Sequence, residues 1–337
     1  MSLPAKKPVV LTGDRTTGPL HLGHYAGSLR TRLQLQRSHA QHLLLADTQA
    51  LTDNIGDPAK VRASVIEVAT DYLAAGIDPE STTICVQSQL PALAELTVLY
   101  LNMVTVARLE RNPTIRQEIH SRGFGRDIPA GFLCYPVAQA ADITGFRASV
   151  VPVGEDQLPL LEQTNEIVRR VNRQCGVELL PEASPVLSRT PRLPGVNGKA
   201  KMSKSLQNAI TLSASDRDIT EAVRRMYTDP NHLKACDPGR VEGNVVFMYL
   251  DAFDDDQETV AALKANYQRG GLGDAEVKRR LETVLKQLIG PIRERRLALA
   301  GYPDTIMDIL KAGTERARVV TTETLEAVRA GFGLFRF

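Results

Sequence analysis

GPLHLGHY occupies residues 18–25, directly after a short apolar run, Val9-Val10-Leu11. That run reads as a strand over residues 7–12, and the apolar positions that follow, Leu22, Ala26, Leu29 and Leu33, recur at helical spacing. The octapeptide therefore sits where a first strand hands over to a first helix. In an open parallel sheet, ligands bind at the carboxyl ends of the strands, and a helix N-terminus there offers backbone N–H groups and partial positive charge to a phosphate. Gly18 and Gly23 would let a nucleotide lie close to the backbone. His21 and His24, three apart, share a helical face and can donate hydrogen bonds to a phosphate. Alone, the pair is also readable as chance or as two metal ligands, with no third ligand near it in the sequence.

Working outward, residues 41–46 (QHLLLA), 82–86 (TTICV) and 149–153 (SVVPV) read as further strands, Pro152 fitting only near the end of its own. Val61, Val65, Ala69 and Tyr72 mark a helix that stops near Gly76, and another opens at Pro91. Strand alternating with helix predicts an α/β fold, a parallel sheet with helices on both faces. Beyond about residue 206 the strand signals fade. From Asp274, the residues Val277, Leu281, Val284, Leu288 and Ile292 share one helical face, and Gly290-Pro291 is expected to kink or interrupt that helix. The Gly- and Pro-containing segment 193–199 (LPGVNGK) reads as a mobile loop leading to the join, which divides the chain into 1–205 and a mainly helical 206–337.

Composition narrows the classes. The chain has 337 residues, 43% of them apolar, enough for one large domain or two moderate ones. No apolar run approaches a membrane span, and the start, MSLPAKKPVVLTG, has no signal-peptide core. Four scattered cysteines without a CxxC pair fit reduced thiols in a cytoplasmic protein. A net charge of +2 gives no global basic field for nucleic acid, so any RNA contact is local. The densest basic run, Lys278 to Arg296, carries seven basic and two acidic residues and reads on charge alone as a solvated helix face.

A second stretch, AKMSKS at 200–205, bears on the first. Lys201 and Lys204 are two cations with small hydroxyl residues, Ser203 and Ser205, beside them. On a loop, they can close over a leaving pyrophosphate whose charge grows in the transition state. An exposed basic turn is the plain alternative. A third stretch, CYPVAQAADI at 134–143, spaces Tyr135, Gln139 and Asp142 along one helix face, among alanines that leave room. A carboxylate there can accept a hydrogen bond from a ring N–H or O–H; a polar, solvent-facing stripe is as good a reading from spacing alone. VPVGEDQ, 151–157, ends a strand and places Asp156 and Gln157 at the binding edge of the sheet.

With these motifs in hand, the chain resembles the class I aminoacyl-tRNA synthetases. HLGH is similar to that class's HIGH signature and KMSKS matches its second signature, in the same order and at similar separation. Within the class, the stretches LTGDRTTGPLHLGHYAGSL, ADTQALT (46–52), YPVAQAAD, VGEDQ and KMSKS resemble the tryptophanyl/tyrosyl branch, and most closely its tryptophanyl family. The later TDP and VEGN segments fit as well. The resemblance implies a Rossmann-type, doubly wound catalytic domain followed by a helical anticodon-binding domain whose last helix packs back. It also implies ATP with Mg²⁺, L-tryptophan, tRNA(Trp) and a homodimer.

Carried over by position, the resemblance gives Asp142 the indole N–H, and Tyr135 and Gln157 the amino acid's ammonium. Leu11, Gly13, Gln49, Gln139, Val151 and Val153 would complete the tryptophan pocket. Asp156 would hold the adenylate ribose. Arg15, His21, Gly23, His24, Arg116, Gly154, Lys201, Met202, Ser203, Lys204 and Ser205 would serve ATP, with His21, His24, Lys201 and Lys204 acting on the reacting phosphates. Gln139, Gln49 and Arg15 depart from the residues common in bacterial members, methionine, histidine and glutamine respectively.

The tyrosyl family is the near competitor, but it generally places a tyrosine on the first strand, where this chain has Val9-Val10-Leu11. A small nucleotidyltransferase shares the HxGH motif and usually lacks the amino-acid helix. A non-catalytic RNA-binding relative has no reason to keep both signatures. The absence of any tryptophan from the sequence suits an enzyme that handles tryptophan, and is also common by chance.

Overall fold

The first apolar run becomes β1 (Val9–Asp14), two residues further along than the sequence pattern predicts. The computed structural model describes residues 7–188, 193–198, 202 and 208–335. β1 leads through α1 (Leu22–His24), a π-helical turn at Tyr25–Leu29 and α2 (Arg30–Leu35) to β2 (Ala40–Leu45). α3 (Asp47–Asn54) and α4 (Pro58–Ala75) follow. α4 starts where the Asp57 side chain accepts the Lys60 N–H and ends at Gly76, whose φ of +108° suits the left-handed turn that closes a helix. Then come β3 (Thr82–Val86), α5 (Pro91–Leu101), α6 (Val106–Glu110), α7 (Pro113–Arg122) and α8 (Ala130–Gly145). β4 (Val150–Val153), α9 (Leu158–Cys175) and β5 (Ser184–Leu187) complete the α/β part.

All four strand pairings are parallel, in the order β3-β2-β1-β4-β5. The order reverses between β1 and β4, which opens a crevice beyond their carboxyl ends. β5 is absent from the sequence reading. It is four residues long and contains Pro185, tolerated because the strand lies at the sheet edge and bonds only to β4.

The second part holds α10 (Asp216–Arg224), α11 (Val245–Phe253), α12 (Gln257–Arg269), α13 (Asp274–Ala300) and α14 (Pro303–Gly331). α13 is not interrupted at Gly290-Pro291. Ile289 and Ile292, on either side of the proline, are both buried and pin the two halves to one core. That core runs from Leu20, Leu22 and Leu43 through Met202 and Leu212 to Tyr249, Leu281 and Ile306, so sheet and helical part share it. Among the described residues, no helix is long and apolar enough to cross a membrane.

The basic run on α13 is not simply a solvated face. Lys278 donates to the Arg224 carbonyl, Arg280 to Asp254 and Lys286 to Glu282. Arg293, Arg295 and Arg296 reach Ala214, Ala74 and Asp71. Sequence shows a row of charges, whereas, Lys286 and its neighbour Glu282 apart, partners 26 to 225 positions away turn it inward.

α14 crosses back over the edge strand β3, where the Val86 N–H donates to Thr314 Oγ1 at 3.2 Å. This gives a partner to an edge N–H that would otherwise be open to another strand. Approach is close enough that a Cβ on Gly313 would lie 2.0 Å from the Ile84 carbonyl oxygen. Gly313→Ala is therefore expected to lower stability by roughly 1–3 kcal/mol, as overpacking does, measured by urea unfolding. An unchanged midpoint would show that α14 can lift off β3 without penalty.

Candidate active site

At the carboxyl end of β1 the two histidines build the start of a helix. His21 is the N-cap, in extended conformation (φ −132°, ψ 172°), not a member of the helical face that its spacing predicts. Its Nδ1 accepts the Gly23 N–H at 3.1 Å, while His24 Nδ1 accepts the His21 N–H at 3.2 Å. The rings lie 3.9 Å apart. An Nδ1 that accepts puts the proton of the neutral ring on Nε2, so both rings present an Nε2–H donor. The helix then continues as a π turn, an irregularity often found at functional sites.

Gly23 is required here by close approach. A Cβ would meet His21 Cε1 and Nδ1 at 2.9 Å and Met202 Sδ at 3.4 Å. The Gly23 N–H also points at Met202 Sδ, at 3.3 Å. Met202, the described residue of the second signature, is buried in the shared core and stands directly against the first. Downstream, Leu22 N–H bonds to the Ile210 carbonyl and Leu212 N–H to the Leu20 carbonyl. An antiparallel bridge joins His21 to Thr211. Lys201, Ser203, Lys204 and Ser205 lie outside the described residues.

A buried ionic triad fixes the end of β1. Arg32, 2% exposed, donates to Asp14 Oδ2 at 2.6 Å, and the Tyr72 hydroxyl donates to the same oxygen at 2.6 Å. Burial pushes the Asp14 carboxyl up, but the Arg32 charge and the two donors outweigh it and hold it well below the ordinary carboxylate range. None of this is visible in sequence, where Arg32 is one position in the helix that Leu29 and Leu33 mark. The pairing ties α2 and α4 to the strand end beside the histidines.

Asp142 on α8 is not part of a solvent-facing stripe; it is 6% exposed. Gln87, just past the end of β3, donates through Nε2 to its carboxylate at 2.9 Å, and Gln49 Nε2 does so at 3.0 Å. Gln87 Oε1 accepts the Gln49 backbone N–H at 3.1 Å, so the three residues close a ring that fixes each amide's orientation. Burial raises the Asp142 pKa to about 7, against the opposing Gln87 hydrogen bond. Gln87 was not among the sequence candidates. The available signal was its place, a polar residue at the carboxyl end of a parallel strand.

The other candidates gather around this crevice to different degrees. Gly13 is the next-to-last residue of β1, and a Cβ there would strike the Leu44 carbonyl at 2.5 Å, so the neighbouring strand alone requires glycine. Gly154 opens the turn after β4 that carries Asp156 and Gln157, and a Cβ on it would lie 2.9 Å from Asp156 Oδ1. Thr114 Oγ1 donates to the Asp156 carbonyl at 2.7 Å, which ties α7 to that turn. Tyr135 donates to Glu118 of α7 at 3.3 Å; burial first, then the Glu118 charge, pushes its hydroxyl pKa up. Gln139 is half-buried on α8. Arg15 pairs with Asp53, which Arg122 also holds. Leu11 and Val151 are buried in the apolar cluster around the sheet, Val153 borders it, and Arg116 stands exposed on α7.

A parallel sheet with a strand-order reversal and a histidine-capped helix start at the strand ends are the arrangement of a class I synthetase. The family described as tRNA synthetases class I (W and Y) matches residues 3–290, and the chain belongs to it. It is 55% identical over 335 residues to a tryptophan–tRNA ligase of Clostridium longisporum, covering 98% of each chain. To a tryptophan–tRNA ligase of Streptococcus agalactiae serotype V it is 52% identical over 338 residues, covering 98% of this chain and 99% of the other. A solved tryptophanyl-tRNA synthetase from Campylobacter jejuni, complexed with ADP and tryptophan, superposes with a TM-score of 0.81 at 28% identity. The match covers 97% of this chain and all of the other.

Proposed function

We propose that this protein is a tryptophan–tRNA ligase. A carboxylate oxygen of L-tryptophan attacks the α-phosphorus of ATP, pyrophosphate leaves, and tryptophanyl-adenylate forms. A ribose hydroxyl at the acceptor end of tRNA(Trp) then attacks the acyl carbon and AMP leaves. The observation that supports this most directly is the buried Gln49–Gln87–Asp142 ring, within a family that serves tryptophan and tyrosine. A buried carboxylate already holding two amide donors has an oxygen lone pair to offer a ring N–H, and rejects a side chain that leaves it without that donor.

In this reading Asp142 receives the indole N–H, and Tyr135 and Gln157 hold the substrate ammonium. Asp156 holds the ribose, while His21 and His24 donate from Nε2 to the phosphates. Lys201 and Lys204 stabilise the departing pyrophosphate. Mg²⁺ enters with ATP, on its phosphates, as part of the substrate. Residues 1–205 form the catalytic domain and 206–337 the anticodon-binding domain of a cytoplasmic homodimer.

The test is ATP–pyrophosphate exchange with each amino acid in turn, followed by charging of tRNA(Trp). Exchange is expected with tryptophan alone. Exchange with tyrosine instead would move the chain to the sister specificity, and none with any amino acid would refute the reading. Because the chain contains no tryptophan, all indole emission in a binding titration comes from the added substrate.

A further inference from the structure

Asp71 belongs to none of the motifs above, yet it is a fully buried carboxylate near the C-terminal end of α4. Its two oxygens face two parts of the molecule. Oδ2 accepts the backbone N–H of Leu20, the residue before His21, at 2.6 Å. Oδ1 accepts Arg296 Nε of α13, also at 2.6 Å. Leu20 in turn accepts Leu212 N–H through its carbonyl. Three residues earlier on α13, Arg293 donates to the Ala214 carbonyl and pairs with Asp216, each at 2.8 Å. One turn of α13 therefore holds the approach to the histidine turn, through Asp71, and the segment that follows the second signature, through Ala214.

A carboxylate that has left water needs a charged partner. With Arg296 gone, Asp71 would keep one neutral N–H donor, too little to offset its desolvation, and it would protonate or turn away. Either response loosens the Leu20 peptide. The N–H that Asp71 holds lies in the Pro19–Leu20 peptide, one unit before the Leu20–His21 peptide, whose N–H fixes the His24 ring.

We infer that Arg296 and Asp71 are positioning residues for the ATP step: α13 reaches the approach to the histidine turn directly through a buried carboxylate. The inference rests on the nucleotide-binding reading of HLGH. It implies that any displacement of α13, in the half of the chain assigned to tRNA, alters the grip on ATP.

The test compares two neighbouring arginines. Arg295 donates to the Ala74 carbonyl and so also staples α13 to α4, but it has no bond to Asp71 or Leu20 among the described residues. Arg296→Leu is expected to lower kcat/KM for ATP in tryptophan-dependent exchange by about tenfold, with KM for tryptophan within about twofold. Arg296→Lys should recover most of the loss. Arg295→Leu should lower Tm and leave ATP kinetics near wild type. If Arg296→Leu does not fold, Asp71→Asn, which keeps an acceptor for Leu20 and loses the charge that attracts Arg296, should show the same selective ATP defect. Wild-type ATP kinetics in Arg296→Leu or in Asp71→Asn would overturn the inference, as would an equal defect in Arg295→Leu. A wild-type protein without tryptophan-dependent exchange would instead remove the reading on which it stands.

Discussion

Asp142→Ala is expected to lower kcat/KM for tryptophan in ATP–pyrophosphate exchange by roughly 100-fold, with KM for ATP within about twofold of wild type. A hydrogen bond to a buried charge contributes about 1.5–3 kcal/mol, and its loss also leaves the Gln49 and Gln87 amides facing a void. The same carboxylate gives the reaction a pH signature. Burial raises its pKa to about 7, so near neutrality it is partly protonated. The ionised form is the much stronger acceptor for an indole N–H. Tryptophan binding should therefore strengthen as pH rises through 7, with KM at pH 6 about tenfold above its plateau near pH 8. Asp142→Asn should flatten this profile, because its amide does not ionise. Full activity in the alanine variant, or a flat wild-type profile, would take Asp142 out of the indole site.

How much of this was legible beforehand depended on how far apart the partners lie. β1 to β4 and the first helices showed as short apolar runs and 3.6-residue periods, because each buries a face that local sequence spells out. β5 did not, since four residues with a proline at an edge carry no such pattern. The site divides along the same line. HLGH and the Tyr135–Gln139–Asp142 spacing stand in contiguous sequence. The groups that orient them do not: Arg32 meets Asp14 and Tyr72 across 18 and 40 positions, and Gln87 meets Asp142 across 55. Asp71 did leave a local trace, a lone acid between Ala69 and Tyr72 on the buried face of α4. A charge at a core position announces a partner elsewhere.

Gly23→Ala separates site geometry from stability. Alanine is favoured over glycine in a helix by up to about 1 kcal/mol, so on backbone grounds this change should leave Tm equal or higher. The added Cβ, however, would stand 2.9 Å from two atoms of the His21 ring and 3.4 Å from Met202 Sδ. Something must shift, and the His21 ring is the most easily moved. Its displacement breaks the Nδ1 bond from the Gly23 N–H, which sets the tautomer and aim of its Nε2–H. It also disturbs Met202, whose sulfur meets the Gly23 N–H. Misplacing a positioned group by about 1 Å can cost on the order of 100-fold in rate. The gain in helix propensity and the loss of the His21 cap bond oppose each other, so the expected outcome is a variant with Tm within a few degrees of wild type, with kcat/KM for ATP down by roughly that factor and tryptophan binding by fluorescence near normal. A variant that keeps wild-type exchange would mean that the His21 ring can leave its place without consequence, and that the contact between the two signatures does not serve ATP.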